Sequence, residues 1–317
     1  MAGLPVFRQA GRVLPMKPKL TASTALLLTV PPVLWAGNAI VGRLVRDAVP
    51  PMTLNLLRWT IALVFLLPLG RAALRAGSGA LSDWPRYSML GLLGIGLYNS
   101  LQYLALQTST PINVTLVASG MPVWMLVIGR LFFNAPVKRK QVAGAVFSIA
   151  GVLVVLCRGD IHQLAALRLV AGDLYMILAT IAWSFYSWLL MQQRSSGADS
   201  PGLRADWAAF LLVQVGYGVL WSAALSGAEW AVAGVDIAWS WPLAAALLYL
   251  AIGPAIIAMR CWGTGVQRAG PTLGSFFINL TPLFTALLSS AFLGEAPHLY
   301  HALAFLLIVG GIAVSAR

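Results

Sequence analysis

Acidic residues are scarce in this chain, and their positions narrow what it can do. It has nine Asp and Glu against twenty-one Lys and Arg. The nine are Asp47, Asp83, Asp160, Asp173, Asp199, Asp206, Glu229, Asp236 and Glu295, and each lies between apolar runs or at the end of one. No carboxylate therefore sits at mid-membrane depth to relay a proton, and no carboxylate pair is placed for acid–base catalysis. Histidine (three) and cysteine (two) are equally few. With no deep acid they supply neither a metal cluster nor a nucleophile with its base, which argues against a membrane-embedded enzyme. No cofactor is implied, since the run GLLGIG from Gly91 to Gly96 has the wrong spacing for a dinucleotide loop. Cys157 and Cys261 are too few for a disulfide framework and fall toward opposite faces in the topology below, so no bond between them is expected.

What the chain has in abundance is apolar surface. Of 317 residues 59% are hydrophobic and only 9% charged, with a mean hydropathy of +0.83, outside the range of soluble domains. In a soluble protein a net charge of +12 would suggest a nucleic acid. Here the basic residues lie mostly in short connections between apolar runs, so topology accounts for them and no nucleic-acid partner is implied; the partner is the lipid bilayer. Residues 1–21 carry Arg8, Arg12, Lys17 and Lys19 and no acid, like the start of a signal peptide. The apolar run that follows, 24–44, is too long for a signal core and lacks a convincing cleavage site, so it reads as a first span.

A bilayer core takes roughly 20 apolar residues per helix. Ten segments meet that need: 24–44, 52–70, 86–107, 113–133, 139–157, 172–192, 207–225, 241–262, 272–292 and 299–316. Unbroken apolarity without alternation indicates helices rather than a barrel, so the expected fold is an all-α integral membrane protein. With the amino end inside, the inner connections hold fourteen Lys and Arg, including Lys138, Arg139, Lys140, Arg194, Arg204, Arg268 and Arg317; the outer ones hold Arg46, Arg158 and Arg168. That asymmetry predicts both termini in the cytoplasm of a multi-pass cytoplasmic (inner) membrane protein.

The chain also repeats itself. QTSTPINVTLVASGMP, Gln107 to Pro122, recurs as QRAGPTLGSFFINLTP, Gln267 to Pro282, with the same paired prolines. The register continues through Phe132/Phe292, Gly151/Gly311 and Val154/Val314. Pro111 and Pro271 stand where a helix begins, whereas Pro122 and Pro282 stand inside an apolar run and must kink it, as matched hinges. Five spans per half make the second half enter the membrane in the opposite sense, an inverted five-plus-five repeat. Such repeats bind substrate near the midplane, where helices are broken.

On these residues a resemblance appears. LWAGNAIVGRLVRDAVPPMTLNLLRWTIALVFLLP looks like the opening of a drug/metabolite transporter repeat of the EamA type. QYLALQTSTPINVTLVASGMPVWMLVIGRLFF resembles its third and fourth helices, and INLTPLFTALLSSAFLGEAPHLYHALAFLLIVGGIAVS its closing pair. The resemblance implies a first repeat over 22–158, a second over 172–317, and secondary transport of a small-molecule substrate, often export of amino acids or related compounds. A facilitative permease or an importer of the same fold is the alternative, with a proton gradient as an open partner; no oligomeric state is implied.

Polar side chains deep in a span are the natural site candidates. These are Trp35 and Asn38; Asn99, Gln102 and Tyr103; Ser119, three residues before Pro122; Trp183 and Tyr186; and Asn279, three residues before Pro282. Buried amides also bridge helices without touching a ligand, which is the plainer reading. Arg58 lies near enough the outer end of its span to snorkel, and the resemblance implies a structural or gating role for it. Arg260 either snorkels inward or faces the cavity as the charge partner of a carboxylate or phosphate. If protons are coupled, Glu295, His298 and His301 are the carriers on offer; otherwise they mark a solvated turn and a packed imidazole. Gly144, Ser148 and Gly151, answered by Gly310 and Gly311, suggest close packing of the fifth and tenth spans.

Overall fold

The structure, a computed structural model, describes residues 20–75, 77–109, 114, 117–160, 162, 170–192, 203, 205–293 and 298–316. Pro111, Arg168, Arg194, Arg204, Glu295 and Arg317 lie outside these residues, as do the basic residues of 1–19. Every extended element among the described residues is helical. We number them α1 Ala22–Leu44, α2 Pro51–Leu69, α3 Trp84–Thr108, α4 Met121–Phe133, α5 Arg139–Leu156, α6 Ala171–Met191, α7 Trp207–Ala233, α8 Trp241–Ala269, α9 (in two pieces, Pro271–Ile278 and Thr281–Leu293) and α10 Leu299–Ala316. Nine of these are long and apolar enough to cross a membrane, and α4 is a shorter apolar helix. Their outward faces carry Phe65, Leu131, Phe147, Leu178, Leu220 and Leu306, all exposed. Apolar surface on this scale belongs in lipid, and the chain is a multi-pass membrane protein.

Local chemistry sets the helix ends. Thr21 Oγ1 accepts from the Thr24 amide (3.2 Å), Asp206 Oδ1 from Ala208 and Ala209 (3.0 and 3.1 Å), and Ser240 Oγ from Leu243 (3.3 Å). The start of α2 is capped from another helix. Glu229 of α7 accepts from the Met52 and Thr53 amides (3.0 Å each) and the Thr53 hydroxyl (2.9 Å). A carboxylate there satisfies orphan amides and meets the positive end of the helix dipole. The sequence marks Glu229 only as a residue at a span end.

Helix contacts follow one pattern. α2 packs on α7, α4 on α9, α5 on α10, α1 on α8 and α3 on α6; α4 also touches α6, and α9 touches α1. Shifting every label by five, cyclically, maps this set onto itself. α6 and α9 are the most enclosed, with 61% and 67% of their spans buried, against 33% and 28% for α5 and α10, which pack on each other at the rim, and 33% for the cavity-lining α1.

Two departures from regular α-helix were not legible in the sequence. α3 widens to a π-helical turn over Leu92–Leu97, and α8 does the same over Ala251–Ile257. In α8 the turn contains Pro254, which cannot donate to the α ladder and which a wider turn accommodates. The two turns occupy corresponding places in the repeat register. GLLGIG is packing surface: a Cβ on Gly91 would lie 2.6 Å from the backbone nitrogen of Gly218 in α7.

The small-residue seam is real but narrower than expected. A Cβ on Gly311 would lie 2.6 Å from the Gly144 carbonyl oxygen, and one on Gly144 2.7 Å from that of Gly311; Gly310 faces open space. Gly311→Val should therefore force backbone apart and cost about 1–3 kcal/mol or more, lowering the midpoint of thermal unfolding in detergent. Gly310→Val should leave that midpoint unchanged.

Candidate functional site

Both halves of the repeat break a helix ahead of the second proline. Helix is interrupted at Gly120, where the Gly120 amide bonds the Val117 carbonyl in a tight turn (3.1 Å), and α4 restarts with Pro122 in its first turn. The same happens at Asn279–Leu280: the Leu280 amide bonds Phe277 (3.0 Å), and the second piece of α9 restarts with Pro282 in its first turn. The expected kinks are thus full interruptions, with each proline opening a new segment where its missing N–H costs nothing. Neither proline can donate one turn back, to Ala118 or to Ile278. The breaks touch each other. Asn279 Nδ2 donates to the Ser119 carbonyl (3.3 Å) and to the Ser148 hydroxyl of α5 (2.9 Å), joining repeat-equivalent positions.

Beside this contact lies a cavity of about 1440 Å³. Its lining comes from the second halves of α1, α3 and α9, the first half of α2, the approach to α4, and the middle of α6 and α8. It opens at the end where the exposed lining residues Leu44, Arg46, Asp47, Gln107 and Thr108 lie. Toward the other end it meets an aromatic layer. Trp35 and Trp183 line it, 5.2 Å apart edge to face, and each packs on the fully buried Trp262 (5.7 and 5.6 Å). The Trp35 indole N–H donates to the carbonyl of Pro254 in the widened turn of α8 (3.3 Å).

Eight of the ten residues singled out from sequence line this space: Trp35, Asn38, Asn99, Gln102, Tyr103, Ser119, Trp183 and Asn279, together with both Pro122's neighbour Ala118 and Pro282 itself. Two do not. Tyr186 is buried behind Trp183, its ring 5.1 Å away, and its hydroxyl donates to Gln214 Oε1 of α7 (3.1 Å). It supports the wall from behind. Arg260 is exposed and lies away from the cavity, its guanidinium 4.1 Å above the Trp207 ring. The expected charge partner is thus a surface cation stacked on an aromatic face. His298 and His301 lie at the start of α10, outside the cavity, with His301 Nδ1 accepting from the His298 amide (3.0 Å).

The buried cation that lines the cavity is Arg58, which the sequence reads as a snorkelling, structural or gating residue. It is 2% exposed, and its Nη1 donates to Asn38 Oδ1 (2.9 Å) and to the Tyr103 hydroxyl (3.1 Å). Its guanidinium lies 5.0 Å from the Trp59 ring and 5.8 Å from that of Tyr103. The test applied to Arg260, a cation inside a span with no acid beside it, would have found Arg58 as readily. Trp59 and Pro254 also line the space and were missed. Several lining residues keep a buried polar atom without a hydrogen-bond partner: Arg58 Nε, Trp59 Nε1, Trp183 Nε1, Asn279 Oδ1 and Thr281 Oγ1. Such atoms cost roughly 1–3 kcal/mol each when left unmet, and they cluster where a ligand could meet them.

The chain belongs to the EamA-like transporter family, whose profile matches residues 22–157 and again residues 170–317. An uncharacterized transporter of Archaeoglobus fulgidus is 26% identical over 295 residues, covering 92% of this chain and 97% of the relative. The aromatic amino acid exporter YddG of Ancylobacter novellus is 26% identical over 296 residues, covering 93% and 98%. A solved crystal structure at 25% identity superposes with a TM-score of 0.71 and covers 92% of this chain and 97% of its own. The chain is thus a membrane transporter.

The bond between the two breaks can be measured directly. Asn279→Ala should cost about 1–3 kcal/mol of unfolding stability, since it strands the Ser148 hydroxyl. In a double-mutant cycle with Ser148→Ala the two effects should be non-additive by roughly 0.5–1.5 kcal/mol, read from chemical unfolding in detergent.

Proposed function

We propose that this protein is a secondary transporter that exports amino acids or closely related small metabolites across the cytoplasmic membrane by alternating access. The observation that carries the reading is a cavity that opens at one end of the bundle and meets a packed aromatic layer toward the other. A channel needs a continuous path, whereas a carrier exposes its site to one side at a time. The combination of unmet polar atoms, aromatic faces and one buried cation in that cavity suits a small amphiphilic solute. The relative named as an aromatic amino acid exporter supports the same class.

In this reading α4 together with the helical residues ahead of its break is the tenth span, and the two halves are inverted repeats. The fourteen-to-three distribution of basic residues supports cytoplasmic termini, and the self-mapping set of helix contacts supports the repeat. The open end, marked by Arg46 and Asp47, then faces outward. Release to the outside takes place from this state, and loading requires the aromatic layer to part. Pro122 and Pro282 act as the paired hinges, since the breaks they follow are the points at which two helix segments can turn against each other. The same open end would also serve uptake, so a facilitative permease or importer is the reading to be separated by experiment.

Reporter fusions at Lys140 and Arg317 should report a cytoplasmic position and one at Gly234 an external one; an external Arg317 would break both the ten-span count and the inversion. In cells preloaded with labelled aromatic amino acids, expression should speed efflux and raise tolerance to toxic analogues. Pro122→Ala or Pro282→Ala should slow that efflux about tenfold while leaving membrane insertion intact. Faster uptake without faster efflux would assign the importer reading instead.

A further inference from the structure

Among the described residues the buried guanidinium of Arg58 has no counter-ion. The acids at its end of the bundle, among the described residues, are committed or remote: Asp47 pairs with Arg46 at the mouth (3.4 Å), Glu229 caps α2, Asp160 accepts from the His162 amide (3.0 Å), Asp173 accepts from the Ser109 hydroxyl and the Val170 amide (2.8 Å), and Asp236 is exposed on the connection after α7; Glu295 lies outside the described residues. The groups facing Arg58 are neutral: Asn38 from α1, Tyr103 from α3 and Trp59 from its own helix. Removing a cation from water costs several kcal/mol, and two neutral hydrogen bonds through one nitrogen offset only part of that. A purely structural arginine would be expected to spend its whole fork on the fold. Here Nη1 makes both bonds, Nε has no partner, and among the described residues nothing accepts from Nη2. The Nε–Nη2 edge is the one that takes a carboxylate side-on with two parallel hydrogen bonds.

We propose that Arg58, held in place by Asn38 and Tyr103, is the carboxylate-binding group of the cavity and sets its preference for substrates that carry one carboxylate. This rests on the transport reading and deepens it by naming the substrate chemistry and the residue that selects it. The bound carboxylate supplies the missing counter-charge. The body of the substrate lies against Trp59, Tyr98, Trp183 and Trp35, which line the same space. An ammonium group, where present, finds the unpaired Oδ1 of Asn279 and the aromatic faces, since the lining acid Asp47 stands at the mouth and is paired with Arg46. A dianion would leave its second charge unmet, and a bare amine would meet the cation of Arg58 with nothing to neutralise it. Asn38 and Tyr103 are positioning residues: each holds Nη1 and leaves the opposite edge of the guanidinium free.

The test uses the purified full chain in proteoliposomes, with L-phenylalanine, L-tryptophan and phenylpyruvate as carboxylate probes and L-phenylalaninamide as the neutral-carboxyl counterpart. Binding is read by quenching of tryptophan fluorescence and movement by tracer flux. The wild-type protein should prefer phenylalanine to phenylalaninamide by roughly tenfold to a hundredfold, the worth of a charge-assisted pair of hydrogen bonds. Arg58→Gln should bring that ratio close to one. Arg58→Lys, which keeps the charge and loses the fork, should fall between, and it carries the test if the Gln variant does not fold. Arg260→Gln should leave the ratio unchanged. If the wild-type protein moves the probes and both Arg58 variants keep its discrimination, the subsite assignment is overturned while the transport reading stands. If the wild-type protein moves none of the carboxylate probes, the amino-acid reading and the subsite fall together.

Discussion

The structure depends on the meeting of two broken helices. Each break ends a stretch of helix inside the bundle and deprives backbone carbonyls of their usual donors, a costly situation where water is scarce. Placing the breaks side by side lets a side chain at one serve the other: the Asn279 amide holds the Ser119 carbonyl and ties in Ser148 of α5. The cavity exists because the chain near Ser119 and the second piece of α9 both line it from this point. α5 and α10, packed backbone to backbone through Gly144 and Gly311, brace the breaks from the rim.

Much of this was legible before any coordinates. The repeat of Pro111/Pro122 in Pro271/Pro282 marks two disturbed helices in matching places, though as kinks rather than interruptions, and deep Asn, Gln and Trp residues mark most of the lining. Three things were not legible. The paired π-helical turns in α3 and α8 leave no periodic trace, because an added residue shifts a helix face without changing how apolar it is. Glu229 reads as a loop acid, since nothing local says that its carboxylate reaches across to cap α2. The directions that Arg58 and Arg260 face are the third: distance from a span end measures how far an arginine must reach, but the direction it faces depends on which helices pack beside it. Trp207 gives Arg260 a surface on which to stack, whereas Asn38 and Tyr103 draw Arg58 inward.

The electrostatics follow from those directions. With Asp47 spent on Arg46 at the mouth and Glu229 spent on amide groups, the deep cavity carries one uncompensated positive charge in a setting of low dielectric. Such a site is costly when empty and attracts a single negative group strongly. The floor of Trp35, Trp183 and Trp262 keeps the charge from acting as a pore lining, because passage requires those rings to separate.

The central claim is that this cavity is one of two alternating states of a single site. Spin labels at Gln107 on α3 and Leu288 on α9, both at the rim, report the width of the opening by pulsed electron–electron distance measurement. The account predicts two distance populations that exchange weight when a transported amino acid is added. A single distance that stays fixed while the labelled protein transports would contradict it.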